Sequence, residues 1–122
     1  MTISEIATVL AWHDALNAQD LDTLVELSTG DIEIGDAHGA RQGHQALLDW
    51  ATSTRFTVEP GRMFVHDGVV VVEQEVFTSG PPQRTASAFR VVRDKVASMY
   101  RHSDLASALA ATELTEDDIF VG

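Results

Sequence analysis

Cysteine is absent from the 122 residues, so neither a disulfide nor a thiolate metal site can hold the chain together. That composition fits a reducing, cytoplasmic setting. Basic residues are scarce: 8 Lys plus Arg stand against 19 Asp plus Glu, a formal net charge of -11. A surface of that sign repels phosphate backbones and anionic lipid, which removes nucleic acid and membranes from the expected partners. No apolar run approaches the ~20 residues a membrane-spanning helix needs, and the opening MTISEIATVL lacks the basic segment of a signal peptide. Repeats and low-complexity stretches are missing. His38, His44, His66 and His102 are scattered without HxxxH or HxH spacing, so no metal is expected. Gly39 and Gly43 are not followed by the Lys-Ser/Thr of a phosphate loop, and Gly-x-Ser-x-Gly does not occur. No cofactor is implied.

What remains is enough for one core, with hydrophobic residues at 44%. Thr2 and Glu5 have capping-box spacing. Behind them Ile3, Ile6, Val9, Leu10, His13 and Leu16 recur at helical intervals, which predicts an amphipathic helix over 3–18. Asp20 can cap a second short helix striped by Leu21, Leu24, Val25 and Leu27, with Gly30 placed to end it in a left-handed conformation. Residues 31–35 alternate as a short strand, 36–43 read as a loop, and 44–53 as a third helix anchored by Leu47, Leu48 and Trp50. Strands are predicted over 62–66, 69–78, 84–93 and 96–102. The turns between them are Asp67-Gly68, Ser79-Gly80-Pro81-Pro82 and Arg93-Asp94-Lys95. Asp104 can cap a last short helix. Helices first and an antiparallel meander after give an α+β domain over 1–111, with the helices on one face of a curved sheet and a hollow between. Residues 112–122 form an acidic tail whose composition allows disorder.

Ala15-Leu16-Asn17-Ala18-Gln19-Asp20-Leu21-Asp22 is similar to the joint between the first two helices of bacterial ketosteroid isomerases. With the element order, the chain resembles the nuclear transport factor 2-like superfamily. Those are cystatin-like cones that include SnoaL-like polyketide cyclases, isomerases, epoxide hydrolases and dehydratases. The resemblance covers nearly the whole chain and is specific for fold rather than chemistry. It implies a general base at Asp36, after the first strand and upstream of Arg41-Gln42-Gly43. The isomerases' two oxyanion donors, a Tyr and a protonated Asp, match Trp12 and Ser87 here. The last-strand Asp of the epoxide hydrolases matches Arg101. These departures argue against both mechanisms.

Each candidate has two readings. Asp36 is either a base facing a pocket or a loop Asp bonding its own backbone. His13 is a proton shuttle beside Asp36 or a satisfied core histidine. Trp12 either stacks on a ligand and offers its N–H, or is plain core. By the same alignment Met99, Arg101 and Ser103 point inward; Arg101 would pair with Asp36 or bind a ligand oxygen, unless the register slips and it is solvated. Ser87 and Phe89 are expected to line the hollow, while Glu73 and Glu75 share an outer face. The expected function is a pocket for a small hydrophobic molecule. It is either a cofactor-independent isomerase, cyclase or dehydratase working on a carbonyl compound with Asp36 and His13 as catalytic residues, or a binding or dimerisation domain without chemistry. A homodimer is expected through the convex sheet face, using Val70, Val72, Val76, Tyr100 and His102.

Overall fold

The computed structural model describes residues 2–36, 38–53 and 55–121, with residues 2 and 3 by backbone only. The side chain of the expected Thr2 cap therefore lies outside the described residues. Helix α1 (Thr2–Ala18) leads into α2 (Leu21–Glu26), capped by the Asp20 carboxylate, which accepts from the Thr23 N–H. Strand β1 (Ser28–Asp36) and β2 (Gly39–Gln42) form a hairpin, and α3 (His44–Thr52) follows. Strands β3 (Thr57–His66), β4 (Val69–Phe77), β5 (Gln83–Val92) and β6 (Lys95–His102) make the expected meander. Helix α4 (Leu105–Thr112), capped by Asp104, and a short 3-10 turn at Glu116–Asp118 close the chain. The sheet order is β2-β1-β6-β5-β4-β3, with β1 parallel to β6 and the other pairs antiparallel.

The helix joint has a structural job. Asn17 pairs with Val58 like one more strand residue, its amide donating to the Val58 carbonyl (2.7 Å) and accepting from the Val58 N–H (2.8 Å). Gln19 takes a left-handed φ of 56° to turn the chain, and its amide donates to the carbonyls of Leu16 and Ala51. The run that carries the resemblance thus ties α1 to β3 and α3. At the other end, Asp67 and Gly68 have φ values of 49° and 81°, the pair of positive angles a two-residue hairpin of this hand requires.

Ile6, Val9, Trp12, Leu16, Leu24, Ile32, Leu47, Val70, Val72, Phe89 and Met99 form the main core between α1–α3 and the concave face. A second cluster of Phe64, Val71, Ala86, Ala88, Ala108 and Leu114 lies under α4 on the convex face.

Several expectations are corrected. Gly30 lies inside β1 and Leu27 ends α2, because the hydrogen bond from Val96 N–H to the Leu27 carbonyl (2.7 Å) already draws the chain onto β6. Residues 39–42 are an exposed edge strand rather than loop. The helices do not share one face, since α4 packs opposite the others. Val70, Val72 and Val76 belong to the concave side, as the pairing of Val70 with Phe89 and Val72 with Ser87 dictates, so they cannot form a convex dimer surface. The acidic tail is packed: Leu114 is buried, the Phe120 N–H donates to the Met63 carbonyl (2.8 Å), and Ile119 bridges Phe64.

Candidate functional site

The deepest polar feature is a chain of hydrogen bonds running from α1 into the sheet. Val9, Trp12, His13 and Leu16 share one helix face by their spacing of three and four. His13 is buried at 1% exposure, and its Nδ1 lies 2.8 Å from the Val9 carbonyl. A carbonyl can only accept, so Nδ1 carries the proton. Burial holds the His13 pKa below its ordinary 6.5, outweighing the upward pull of the Val9 bond and of Asp14. The ring is therefore neutral and its Nε2 accepts. Its partner at 2.8 Å must then be the Gln74 amide N–H. The Gln74 oxygen is left to accept from the Ser87 hydroxyl at 2.7 Å.

Gln74 and Ser87 are both buried, and both line a pocket of about 240 Å³. Its other walls are mainly apolar: Trp12, Leu16, Trp50, Phe56, Val58, Val76, Phe89 and Met99. Trp12 stacks on Trp50 (5.9 Å between centroids, 22°) and meets Phe89 edge-on at 5.3 Å. Trp50 tilts against Phe56 at 5.4 Å. The Trp12 indole N–H donates to the Ser28 hydroxyl (3.0 Å), which itself donates to the Leu24 carbonyl (2.8 Å). Trp12 is therefore a wall and has no N–H to offer a ligand, which corrects that expectation.

A second, shallower hollow of about 480 Å³ opens beside the first and shares Trp50, Ser53 and Arg101 with it. Asp36, His38, Arg41 and Asp49 stand on its rim. Asp36 is exposed, and its carboxylate accepts from the His38 backbone N–H (2.8 Å), a closed local turn. Arg41 donates to Asp49 at 3.1 Å, and Gln45 donates to the same carboxylate at 2.8 Å. The Gln45 bond, then Arg41, hold the Asp49 pKa down. Arg101 is exposed and has no ion pair or side-chain hydrogen bond among the described residues. It does not pair with Asp36, although both border the outer hollow.

The structure thus gathers Trp12, Ser87, Phe89, Met99 and Arg101 around the deep pocket and leaves Asp36 on the outer rim. His13 stands behind Gln74, bonded to Val9 and Gln74 rather than to Asp36. That bonding corrects the picture of a shuttle next to Asp36. Gln74 was not singled out by sequence reasoning. The usable signal was its place in Val70-x-Val72-x-Gln74-x-Val76, one polar residue in an inward apolar alternation. Trp50 was read only as a helix anchor, yet it lines both hollows. Among the described residues no group of three or more His, Asp or Glu is placed to hold a metal, and no helix is long and apolar enough to cross a membrane.

Residues 9–104 match the SnoaL-like domain. No curated protein matches the sequence. Solved structures of the same fold are numerous. A candidate polyketide cyclase from Sinorhizobium meliloti superposes with a TM-score of 0.72 at 22% identity, covering 79% of this chain and 94% of its own. A candidate ketosteroid isomerase from Kribbella flavida gives 0.76 at 13% identity, over 82% and 77% of the two chains. A cystatin-fold protein from Novosphingobium aromaticivorans gives 0.72 at 20% identity, over 83% and 97%. At these identities the likeness establishes the fold, and the chemistry has to come from the site itself.

Proposed function

This chain belongs to the SnoaL-like family of the nuclear transport factor 2-like superfamily, and from that premise we propose that its deep pocket binds a small, largely apolar compound carrying a carbonyl oxygen. One observation carries this reading: a chamber of about 240 Å³ with mainly aromatic and aliphatic walls has two buried polar side chains bonded to each other, Gln74 and Ser87, while its other polar residues, Ser53, Thr78, Gln83 and Arg101, are exposed. Apolar walls supply affinity and the few convergent polar groups fix orientation. Titrating small aryl and alkyl ketones against the native protein and reading the quenching of Trp12 and Trp50 emission tests it. Absence of any saturable quenching removes the reading.

A second reading adds chemistry: proton transfer of the isomerase, cyclase or dehydratase kind, without cofactor, with Asp36 as general base. It is favoured by the adjacency of the two hollows, which share Trp50, Ser53 and Arg101, so that a ligand extending past these side chains from the deep pocket would approach the rim that carries Asp36. The Arg101 guanidinium, without an ion pair among the described residues, lines both hollows and could stabilise an enolate or carboxylate oxygen there. Asp36→Asn is then expected to abolish turnover of a carbonyl substrate while the protein stays folded. Full turnover in that variant leaves the domain as a binding module. A homodimer through what α4 leaves open of the convex face, around Tyr100 and His102, belongs to the same proposal. Light scattering that returns a monomer at micromolar concentration removes it.

A further inference from the structure

The hydrogen-bond chain behind the pocket fixes which polar groups a ligand can meet where Gln74 and Ser87 line it. Starting from the Val9 carbonyl and a buried ring that has no carboxylate bonded to it among the described residues and is held neutral by that burial, every donor and acceptor assignment follows in turn: Val9 accepts from His13 Nδ1–H, His13 Nε2 accepts from the Gln74 amide, and the Gln74 oxygen accepts from the Ser87 hydroxyl. At the end of that chain the Ser87 proton is already committed. Gln74 has one amide N–H left to give, and the Ser87 oxygen can only accept. Reversing the Gln74 amide would set its oxygen against an accepting ring nitrogen, two lone pairs 2.8 Å apart. All three side chains are at least nine-tenths buried, so water cannot easily rescue such a reversal.

We infer that His13 is a positioning residue for ligand selection: by accepting from Gln74 it locks the amide so that the floor of the pocket offers a single N–H and selects a ligand with a hydrogen-bond acceptor there, a carbonyl oxygen in preference to an apolar group of the same shape. This inference rests on the pocket reading above and adds to it the residue that sets the polarity of the floor. His13 reaches no ligand itself. It acts only through Gln74, which is why a histidine that does not line the pocket affects what the pocket binds. A leucine at position 13 would fill similar space but would leave the amide free to rotate.

Two measurements test it. In the first, nitrogen-15 NMR of the ligand-free native protein, with the His13 ring signals assigned by through-bond correlation to its own backbone, is expected to show Nδ1 protonated and Nε2 bare at neutral pH. This readout needs no ligand and stands even if the variants fold poorly. In the second, acetophenone and ethylbenzene, probes of closely similar shape, are titrated against native protein, His13→Leu and the double variant Gln74→Leu/Ser87→Ala, in which no freed Ser87 hydroxyl can replace the lost donor. The ratio of ketone to hydrocarbon affinity is expected to fall about fivefold in both variants, the size of one net hydrogen bond, while ethylbenzene binding persists. A ring protonated at Nε2, or a ratio that does not change, overturns the role of His13. If neither probe binds the native protein at millimolar concentration, the pocket reading itself is lost and the selection claim goes with it, whatever the tautomer.

Discussion

The two hollows adjoin and share Trp50, Ser53 and Arg101, yet they are built from opposite materials. In the inner one the buried polar groups are few and committed to each other: Ser87, Gln74 and His13 form one chain ending on a helix carbonyl, and the remaining polar residues of the lining are exposed. In the outer one the groups are charged and solvated, and their bonds are local, Asp36 to its own loop and Arg41 to Asp49. Water screens and replaces such exposed contacts, so they position little. Buried networks are different, because every unmet partner in them costs free energy. Geometric precision in this protein therefore resides in the inner floor, and a catalytic Asp36 would have to gain its positioning from a bound ligand.

The contrast is broken most severely by removing the wall behind the floor. Phe89 is 1% exposed and touches Trp12 and His13, both within 5.3 Å between ring centroids. Phe89→Ala should lower stability by about 3–5 kcal/mol, read by chemical denaturation, since little nearby can collapse into the space. A loss under about 1 kcal/mol would mean that the wall is loosely packed.

Next in size is the chain itself. Gln74→Leu orphans His13 Nε2 and should cost about 1–3 kcal/mol. His13→Leu orphans the amide instead and should cost a similar amount. The double variant should be less destabilised than the sum, because removing both partners leaves neither side of their own bond unmet, while the Ser87 hydroxyl loses its acceptor equally in Gln74→Leu and in the double variant. Strict additivity in that cycle would show that the two side chains do not depend on each other.

Much of this architecture was legible in the sequence, for reasons that name the exceptions. Asp67-Gly68 announced its hairpin because few residue pairs tolerate two positive φ angles. Asp20 and Asp104 announced their helices because a carboxylate answers the open N–H groups of a first turn. Gly39-Ala40-Arg41-Gln42 gave no such sign: all four are exposed, so no apolar alternation marks them, and they are strand only because β1 offers an edge. Val70, Val72 and Val76 were placed on the wrong face because both faces of β4 are partly apolar, with Val71 turned to α4. Period-two patterning cannot choose between two buried faces. Without that choice Gln74 could not be seen to point inward, so the partner of His13 was hidden although His13 itself was flagged.

A pH titration sharpens the comparison with a smaller effect. His13 is held neutral by burial, below its ordinary 6.5, whereas the unfolded chain takes up a proton there at about that pH. Below about 6.5 the unfolded state binds more protons at this site, so stability should fall as pH drops, by at most ~1.4 kcal/mol per unit, and this contribution should be flat above it. Asp49, Glu73 and Asp104 also have lowered values, led by bonds from Gln45, Arg62 and the Ser107 backbone. Their stabilisation is present above their ordinary values of 3.8 to 4.5 and is lost only as pH falls further, so the windows separate. The part of the slope between about pH 6.5 and 4.5 should vanish in His13→Leu. A slope that survives there belongs to another group.

The smallest effect is expected at the residue that the family resemblance favours most. Asp36→Ala removes one carboxylate bond to the His38 N–H at an exposed turn, where water can take both places. Its cost should stay within about 0.5 kcal/mol by denaturant titration. That insensitivity is informative, because it lets any loss of turnover or ligand binding in the variant be assigned to chemistry rather than folding. A loss above about 1.5 kcal/mol would instead make Asp36 a structural cap for the β1–β2 turn. The outer hollow would then hold no acid free to act, and the inner floor would be left as the whole of the site.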